Sequence, residues 1–90
     1  MPRLHHIPPD TFLTDAEFRN LTLVKDGKVR RLYHHNGNTI GGGHSATIRK
    51  LEKQGLIKEA KQPYYITYYY TIYYFELTPL GKGAFVEFDK

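Results

Sequence analysis

The sequence contains no cysteine, and this absence excludes several classes of protein. Disulfide bonds, zinc sites built on thiolates and cysteine nucleophiles cannot occur. No apolar run approaches the roughly 18 residues that a membrane span needs. The opening residues, Met1–His6, also lack the apolar stretch of a secretory signal peptide. We therefore expect a cytoplasmic protein that does not associate with a membrane.

Signals for catalysis and for bound cofactors are missing as well. The run Gly41–Ser45 is rich in glycine, but it lacks the Gly-Lys-Ser/Thr ending of a nucleotide-binding loop. The pairs His5–His6 and His34–His35 would point to opposite faces of a strand, so neither pair can chelate one metal. Glu52 and Glu59 stand among cations, as the partners of surface ion pairs do. We expect no enzyme activity, no metal site and no cofactor.

Positive charge is concentrated in the middle of the chain. The whole sequence has 13 cations and 9 acidic residues, which gives a net charge of +4. Residues 28–61 hold eight of those cations and two of the acids, so this segment carries +6 and each flanking segment carries −1. A localised cluster of cations is typical of proteins that bind polyanions, although many solvated surfaces are also basic.

The length and the first signals along the chain indicate one small domain that begins with a helix. Ninety residues suit a single domain, 1–90, whose first part, 1–12, is broken by prolines and should be an extended or frayed arm. Thr14 and Glu17 have the spacing of a capping box, in which each side chain bonds the backbone amide of the other. We therefore predict a helix from about 14 to 25.

The segment 26–43 allows more than one interpretation. Asp26-Gly27 either ends the first helix or turns a hairpin. Lys28–His35 forms either a helix or a strand. Asn36-Gly37 is a hairpin signal, and the three glycines at 41–43 resist regular structure, so a strand followed by a loop is favoured.

The clearest helix signal lies between Ser45 and Gly55. Ser45 is a favoured N-cap residue, and Gly55 stands just past the expected end of the helix. Ile48 and Leu51 form an apolar stripe that should face the core, which leaves the polar side of the helix in solvent. That exposed side carries Thr47, Arg49, Lys50, Lys53 and Gln54.

Beyond Gly55 the composition favours strands. The segment Leu56–Gln62 is followed by Pro63 and then by Tyr64–Leu77, and this last run is crowded with aromatic and β-branched residues. Alternation along the second segment predicts a buried face, made of Tyr73, Phe75 and Leu77, and an opposite face, made of Ile72, Tyr74 and Glu76. No glycine or asparagine marks a hairpin tip between 64 and 77.

A last helix is predicted to start after Thr78, which can cap it, with Pro79 at the first helical position. Its apolar side should be formed by residues spaced four apart, namely Leu80, Ala84 and Phe88.

Two strings within residues 45–85 resemble winged helix-turn-helix regulators of the MarR and PadR kind. They are Thr47-Ile-Arg-Lys-Leu-Glu-Lys-Gln-Gly-Leu-Ile57 and Phe75-Glu-Leu-Thr-Pro-Leu-Gly81. The resemblance implies that the first string ends a recognition helix and enters the first wing strand, and that the second holds the return strand and the start of a closing helix. The fold would be α+β, a winged helix with a small three-helix core and a β-hairpin wing. The segment before the recognition helix is atypical, because the family usually has a short positioning helix there.

The same resemblance implies sequence-specific binding of double-stranded DNA by a small, homodimeric transcriptional regulator. The helix from Ser45 would lie in the major groove, where arginine and lysine read guanine and threonine meets a thymine methyl group. Lysines beyond it would neutralise phosphates, and free amides at the N-terminus of the helix would favour a phosphate oxygen. The predicted DNA-binding residues are His44, Ser45, Thr47, Arg49, Lys50, Lys53, Lys58, Lys61, Tyr64 and Tyr65.

Tyrosine is in clear excess, and it supports an alternative function. Seven of the 8 tyrosines lie within Tyr64–Tyr74, and one small core can hide only roughly half of them. Exposed tyrosines can stack on bases, but they are also favoured in protein interfaces. The alternative is therefore a winged-helix protein-interaction module, an adaptor or inhibitor, that binds a protein partner through Tyr64–Tyr74.

Overall fold

The computed structural model describes residues 4–7 and 11–85. They form an α+β fold of three α-helices and antiparallel strands, which is compatible with a winged-helix-like arrangement. Within this described part, no helix has the length and apolar character required to cross a membrane. The elements in chain order are β1 (Leu4–Ile7), β2 (Thr11–Thr14), α1 (Asp15–Lys25), β3 (Arg30–His34), β4 (Gly37–Gly41), α2 (Ser45–Lys53), β5 (Ile57–Glu59), β6 (Tyr65–Ile66), β7 (Tyr70–Leu77) and α3 (Pro79–Lys82), followed by a 3₁₀ turn at Gly83–Phe85.

The start of α1 follows the predicted capping box. Thr14 is the N-cap, its hydroxyl accepts from the Glu17 amide at 3.2 Å, and Glu17 Oε1 accepts from the Thr14 amide at 3.0 Å. The segment before α1 falls in the predicted arm 1–12, where β1 pairs antiparallel with β2 from Leu4 opposite Thr14 to Ile7 opposite Thr11.

Both long helices end on a glycine with positive φ. Gly27, after α1, has a φ of 75°, and Gly55, after α2, has a φ of 80°. The amide of Gly27 donates to the Val24 carbonyl and that of Gly55 to the Glu52 carbonyl, each at 3.0 Å. Glycine adopts this left-handed conformation without steric cost, so both glycines satisfy carbonyls at helix ends. Asp26-Gly27 therefore ends the helix and does not turn a hairpin.

Residues 28–43 contain a hairpin of two antiparallel strands, β3 and β4. The strand predicted at Lys28–His35 is confirmed as β3, but the loop predicted after Asn36-Gly37 is wrong, because residues 37–41 form β4. The two strands pair antiparallel, with Arg31 opposite Ile40 and His34 opposite Gly37. Backbone pairing with β3 satisfies the amides and carbonyls of β4 that face β3, despite the glycines of this segment.

The sheet has the strand order β4-β3-β7-β5, and β6 also pairs with β7. Because side chains alternate along a strand, the sheet has two distinct faces. We call the face that α2 covers the inner face; it carries Ile40, Arg31, Tyr33, Thr71, Tyr73, Phe75, Ile57 and Glu59. We call the opposite one the outer face; it carries Thr39, Arg30, Leu32, Tyr70, Ile72, Tyr74, Glu76, Lys58 and Tyr65.

The core lies between α1, α2 and the inner face. It consists of Leu13, Leu21, Val24, Val29, Ile40, Ile48, Leu51, Leu56, Ile57 and Phe75. The burial predicted along β7 is correct for Phe75, whereas Tyr73 and Leu77 are only half-buried. Leu77 packs against the core without being enclosed by it. The Tyr73 ring lies against the Tyr33 ring, outside the set of residues that form the core.

The predicted last helix is only partly correct. Thr78 caps it as expected, since its hydroxyl accepts from the Gly81 amide at 3.1 Å. However, α3 is a single turn, and the predicted apolar side is wrong at Leu80, which is 37% exposed. Gly81 is the buried residue of this turn, and Ala84 packs on the core from the 3₁₀ turn. Phe88 lies outside the described residues.

Candidate nucleic-acid interface

The N-terminus of α2 is capped by His44 and not, as predicted, by Ser45. The Nδ1 atom of His44 accepts from the Thr47 amide at 3.4 Å and lies 2.9 Å from the Thr47 hydroxyl. The His44 amide in turn donates to Asn20 Oδ1 at 2.9 Å. Ser45 becomes the first helical residue and is exposed. The amides of His44 and Thr47 are thus bonded within the protein, which leaves fewer of them for a phosphate than we expected.

The apolar stripe of α2 is buried as predicted and fixes which side of the helix is exposed. Ile48 and Leu51 are both 0% exposed. Successive helical residues are about 100° apart, so Arg49, Lys50 and Lys53 fall on the side away from this stripe. All three are exposed.

The three cations of α2 differ in their partners. Lys50 Nζ lies 2.5 Å from Glu17 Oε2, so an acidic residue of α1 opposes its charge. Arg49 donates to Asn38 Oδ1 of β4 at 3.1 Å, and this neutral partner leaves its charge in place. Lys53 has no ion-pair partner among the residues that the structure describes. Arg49 and Lys53 are therefore the uncompensated cations of this surface.

Glu17 serves two elements at once. One carboxylate oxygen accepts a hydrogen bond from the Thr14 amide and completes the capping box. The other accepts a hydrogen bond from the ammonium group of Lys50. The hydrogen bond from Lys50, followed by that from the Thr14 amide, holds the pKa of Glu17 below its ordinary value. This carboxylate therefore joins α1 to α2 while it is ionised.

Arg31 is one of the eight cations of the basic segment 28–61. Its side chain is not available on the surface, however, because the residue is only 8% exposed and lies beneath α2. Its guanidinium donates to Glu52 Oε1 of α2 at 2.6 Å and to Glu59 Oε2 of β5 at 2.7 Å. The Tyr33 hydroxyl also donates to Glu59, and the Phe75 ring lies 5.0 Å from the guanidinium carbon. We call these four polar residues, Arg31, Tyr33, Glu52 and Glu59, the Arg31 cluster.

Within the Arg31 cluster, the charge of one buried guanidinium is opposed by two carboxylates. The hydrogen bond to Glu52 raises the pKa of Arg31, and burial raises the pKa of the Tyr33 hydroxyl. Glu52 and Glu59 do pair with a cation, as expected, but the cation is a buried one. Since Glu52 belongs to α2 and the other members to strands, the cluster fixes α2 to the sheet.

A groove of about 540 Å³ lies on the inner face, next to the Arg31 cluster. Tyr33, Glu59, Lys61, Thr71 and Tyr73 are among the residues that line it. Lys61 is exposed at its rim. The structure thus places Lys61 on the same side of the sheet as α2.

Three other predicted residues lie elsewhere. Lys58 projects from the outer face, where its Nζ is 3.8 Å from Glu76 Oε2. Tyr65 stands opposite Ile72 on that face, and the Tyr64 ring contacts the Tyr74 ring at 4.9 Å between centroids. The predicted set therefore divides between two faces of the sheet, because strand residues one apart point in opposite directions.

The tip of the β6–β7 hairpin carries the most exposed aromatic residues of the described chain, which the sequence did not single out. Tyr68 is 95% exposed and Tyr69 is 75% exposed. Thr67 forms the turn, since its hydroxyl accepts from the amides of Tyr69 at 3.2 Å and Tyr70 at 2.9 Å. A threonine hydroxyl here replaces the glycine or asparagine that would have marked the turn.

Comparisons with family models, with curated proteins and with solved structures gave no match to this chain.

Proposed function

We propose that this chain is a non-enzymatic winged-helix protein that binds double-stranded DNA with α2 in the major groove. The observation that carries the proposal is the exposed side of α2, where Arg49 and Lys53 stand without an opposing carboxylate among the described residues. Arginine presents a fork of donors that matches the acceptors of guanine, so Arg49 is the proposed base-reading residue. Lys53 and Lys61 are proposed to contact phosphates.

The surroundings of α2 support this assignment. Arg49 already lies against a neutral side-chain oxygen on β4, which orients its guanidinium without cancelling its charge. The Arg31 cluster holds α2 to the sheet through Glu52, so that acidic residue is directed away from the exposed side. Lys50 contributes less than we expected from sequence, because Glu17 opposes it.

A pair of double variants tests which face binds DNA. Arg49→Ala/Lys53→Ala removes two charges from α2, and Arg30→Ala/Lys58→Ala removes two from the outer face, so the change in net charge is the same. All four residues are exposed, and circular dichroism should show that both variants stay folded. We expect the α2 variant to bind a duplex at least about 10-fold more weakly, whereas the outer-face variant should stay close to the unsubstituted protein.

Salt dependence gives the same test an independent readout. Each phosphate contact contributes about 0.9 to the slope of log K against log salt concentration, so a lost phosphate contact of Lys53 should lower the slope by about that amount. Equal losses of affinity in the two double variants would mean that net charge alone drives binding, and would contradict the assignment to α2.

Homodimerisation, transcription regulation and a cytoplasmic location remain parts of the proposal. The outer face offers a surface for a second copy, since Leu32, Ile72 and Tyr74 lie on it and are only half-buried in the single chain. Sedimentation equilibrium with and without a duplex would give the number of chains in the free protein and in the complex.

The second candidate function is a protein-interaction module, and the same aromatic outer face is the observation that favours it. Tyr64 is 70% exposed and Tyr65 is 51% exposed beside that face. A contact built on these rings should barely respond to salt, whereas a phosphate-dominated contact should weaken steeply between low and moderate salt.

A further inference from the structure

The tip of the β6–β7 hairpin is built to hold two aromatic rings in solvent. The Thr67 amide donates to the Tyr70 carbonyl at 2.8 Å, and the Thr67 hydroxyl accepts from two amides of the turn. These bonds fix the backbone on both sides of Tyr68 and Tyr69. The two rings contact each other edge to face, with 5.0 Å between centroids and 85° between planes. The turn is thus ordered, although Tyr68 is 95% exposed.

A second hairpin reaches the same end of the sheet. His34 of β3 stands opposite Tyr70 of β7, so the β3–β4 turn lies beside the β6–β7 tip. A notch of about 600 Å³ opens between them, and every described residue that lines it is a tyrosine, a histidine or a threonine. Tyr68, Tyr69, His34 and His35 are among them.

The chemistry of this notch indicates the kind of ligand that it fits. Its residues offer aromatic faces, hydroxyl groups and imidazole nitrogens, and within the described part of the chain no carboxylate and no aliphatic side chain lines it. The apolar core of a protein–protein contact would call for aliphatic groups as well. An aromatic, anionic ligand fits better, because its ring can stack on tyrosine and its phosphate can accept hydrogen bonds from hydroxyl and imidazole groups.

We propose that the tip binds an unpaired nucleotide, with its base stacked on Tyr68 or Tyr69 and its phosphate at the His34–His35 side of the notch. The ligand must be unpaired, because a base within a duplex shows only its edges and keeps its faces stacked on neighbouring bases. The inference rests on the proposed function and extends it: α2 binds the duplex while the tip prefers a duplex end, an opening or a single-stranded flank.

The experiment compares a blunt duplex with the same duplex bearing a short oligothymidine overhang, by fluorescence anisotropy on the full chain. The unsubstituted protein should prefer the overhang by about 5- to 150-fold, the range expected for one stacked base. Tyr68→Ala/Tyr69→Ala should abolish this preference and leave binding to the blunt duplex unchanged. Tyr68→Phe/Tyr69→Phe, which keeps both rings, should retain it. Tyr64→Ala is the control, since Tyr64 is 70% exposed but its ring contacts Tyr74 and is not among the described residues that line the notch.

A direct readout of stacking is available in the tyrosine emission, because the chain has no tryptophan. Oligothymidine should quench the emission of the unsubstituted protein more than that of Tyr68→Ala/Tyr69→Ala. Equal quenching, or an overhang preference that survives in this variant, would overturn the assignment of the tip.

The outcomes separate this inference from the function proposed for α2. Binding of the blunt duplex without an overhang preference overturns the tip assignment and leaves the role of α2 intact. Binding of oligothymidine that depends on Tyr68 and Tyr69, without duplex binding, supports the tip and contradicts α2. A tip variant that changes only the sedimentation of the free protein identifies a contact between chains, and binding of neither nucleic acid overturns both proposals.

Discussion

Replacing Arg31 by methionine should destabilise the domain by about 2–4 kcal/mol. Removing one partner of a buried ion pair typically costs about 3–5 kcal/mol, because the other charge stays buried and unpaired. The side chains of Glu52 and Glu59 are 34% and 23% exposed, so water can reach both carboxylates and reduce that cost. Methionine fills most of the space of the arginine stem, so the expected loss comes mainly from the carboxylates and not from a cavity.

Urea denaturation followed by circular dichroism would measure this loss. A domain of 90 residues has a stability of about 5–13 kcal/mol, so the Arg31→Met protein should still fold at room temperature. Its melting temperature should fall by roughly 8–32 °C, since 1 kcal/mol corresponds to about 4–8 °C in a domain of this size.

The variant Arg31→Met/Glu52→Met/Glu59→Met is the control for this reasoning. It removes the unpaired carboxylates together with the cation, so it should recover part of the stability that Arg31→Met loses. The deficit of Arg31→Met should also shrink as the pH falls through the range in which carboxylates take up protons. A triple variant that is less stable than the single one, or a single variant as stable as the original, would refute this account of the Arg31 cluster.

Two further variants test contacts that position α2 and α3. Glu17→Gln should cost about 0.5–1 kcal/mol at neutral pH, since it breaks an ion pair with the exposed Lys50. Because the folded pKa of Glu17 is lowered, its contribution is complete above the ordinary value of 4.5 and disappears as the pH falls through the folded pKa, so urea midpoints of the two proteins should converge in strong acid. Gly81→Ala should cost about 2–3 kcal/mol by urea denaturation, because its Cβ would lie 2.0 Å from the Leu56 carbonyl oxygen. Gly27→Ala, which meets no atom within 4 Å and is strained only by its φ of +75°, should cost about 1 kcal/mol, and an equal or larger loss there would contradict the steric argument.

The start of α1 and the end of α2 were predictable because their signals are local, whereas the start of α2 was assigned to Ser45 and is capped by His44. The capping box at Thr14 and Glu17 lies within four consecutive residues, and Gly55 stands two residues past the last residue of α2. The apolar spacing of Ile48 and Leu51 likewise fixed the buried side of α2 before any tertiary contact was known. In each case the residues that decide the structure are neighbours in sequence.

The composition of the site was less predictable, because it depends on partners distant in sequence. Arg31 was counted with an exposed basic cluster, but pairing of β3 with β7 turns it inward, toward Glu52 and Glu59. Lys58 was grouped with the cations of α2, although alternation along β5 directs it to the outer face. Net charge along a chain cannot separate the two faces of a sheet, since neighbours one residue apart are on opposite sides.

The hairpin of β3 and β4, together with α1, sets the position of α2. Four polar contacts hold α2: Glu52 binds Arg31 of β3, Arg49 binds Asn38 of β4, Lys50 binds Glu17 of α1, and the His44 cap binds Asn20 of α1. Two of these contacts come from the hairpin and two from α1, so strand pairing and packing between helices both set the orientation of α2. A residue such as Arg49 is then both a proposed reader of DNA and a part of what positions the helix. Its pre-ordering by Asn38 would reduce the conformational entropy lost on binding, which is the physical reason for a neutral, hydrogen-bonding partner at that position.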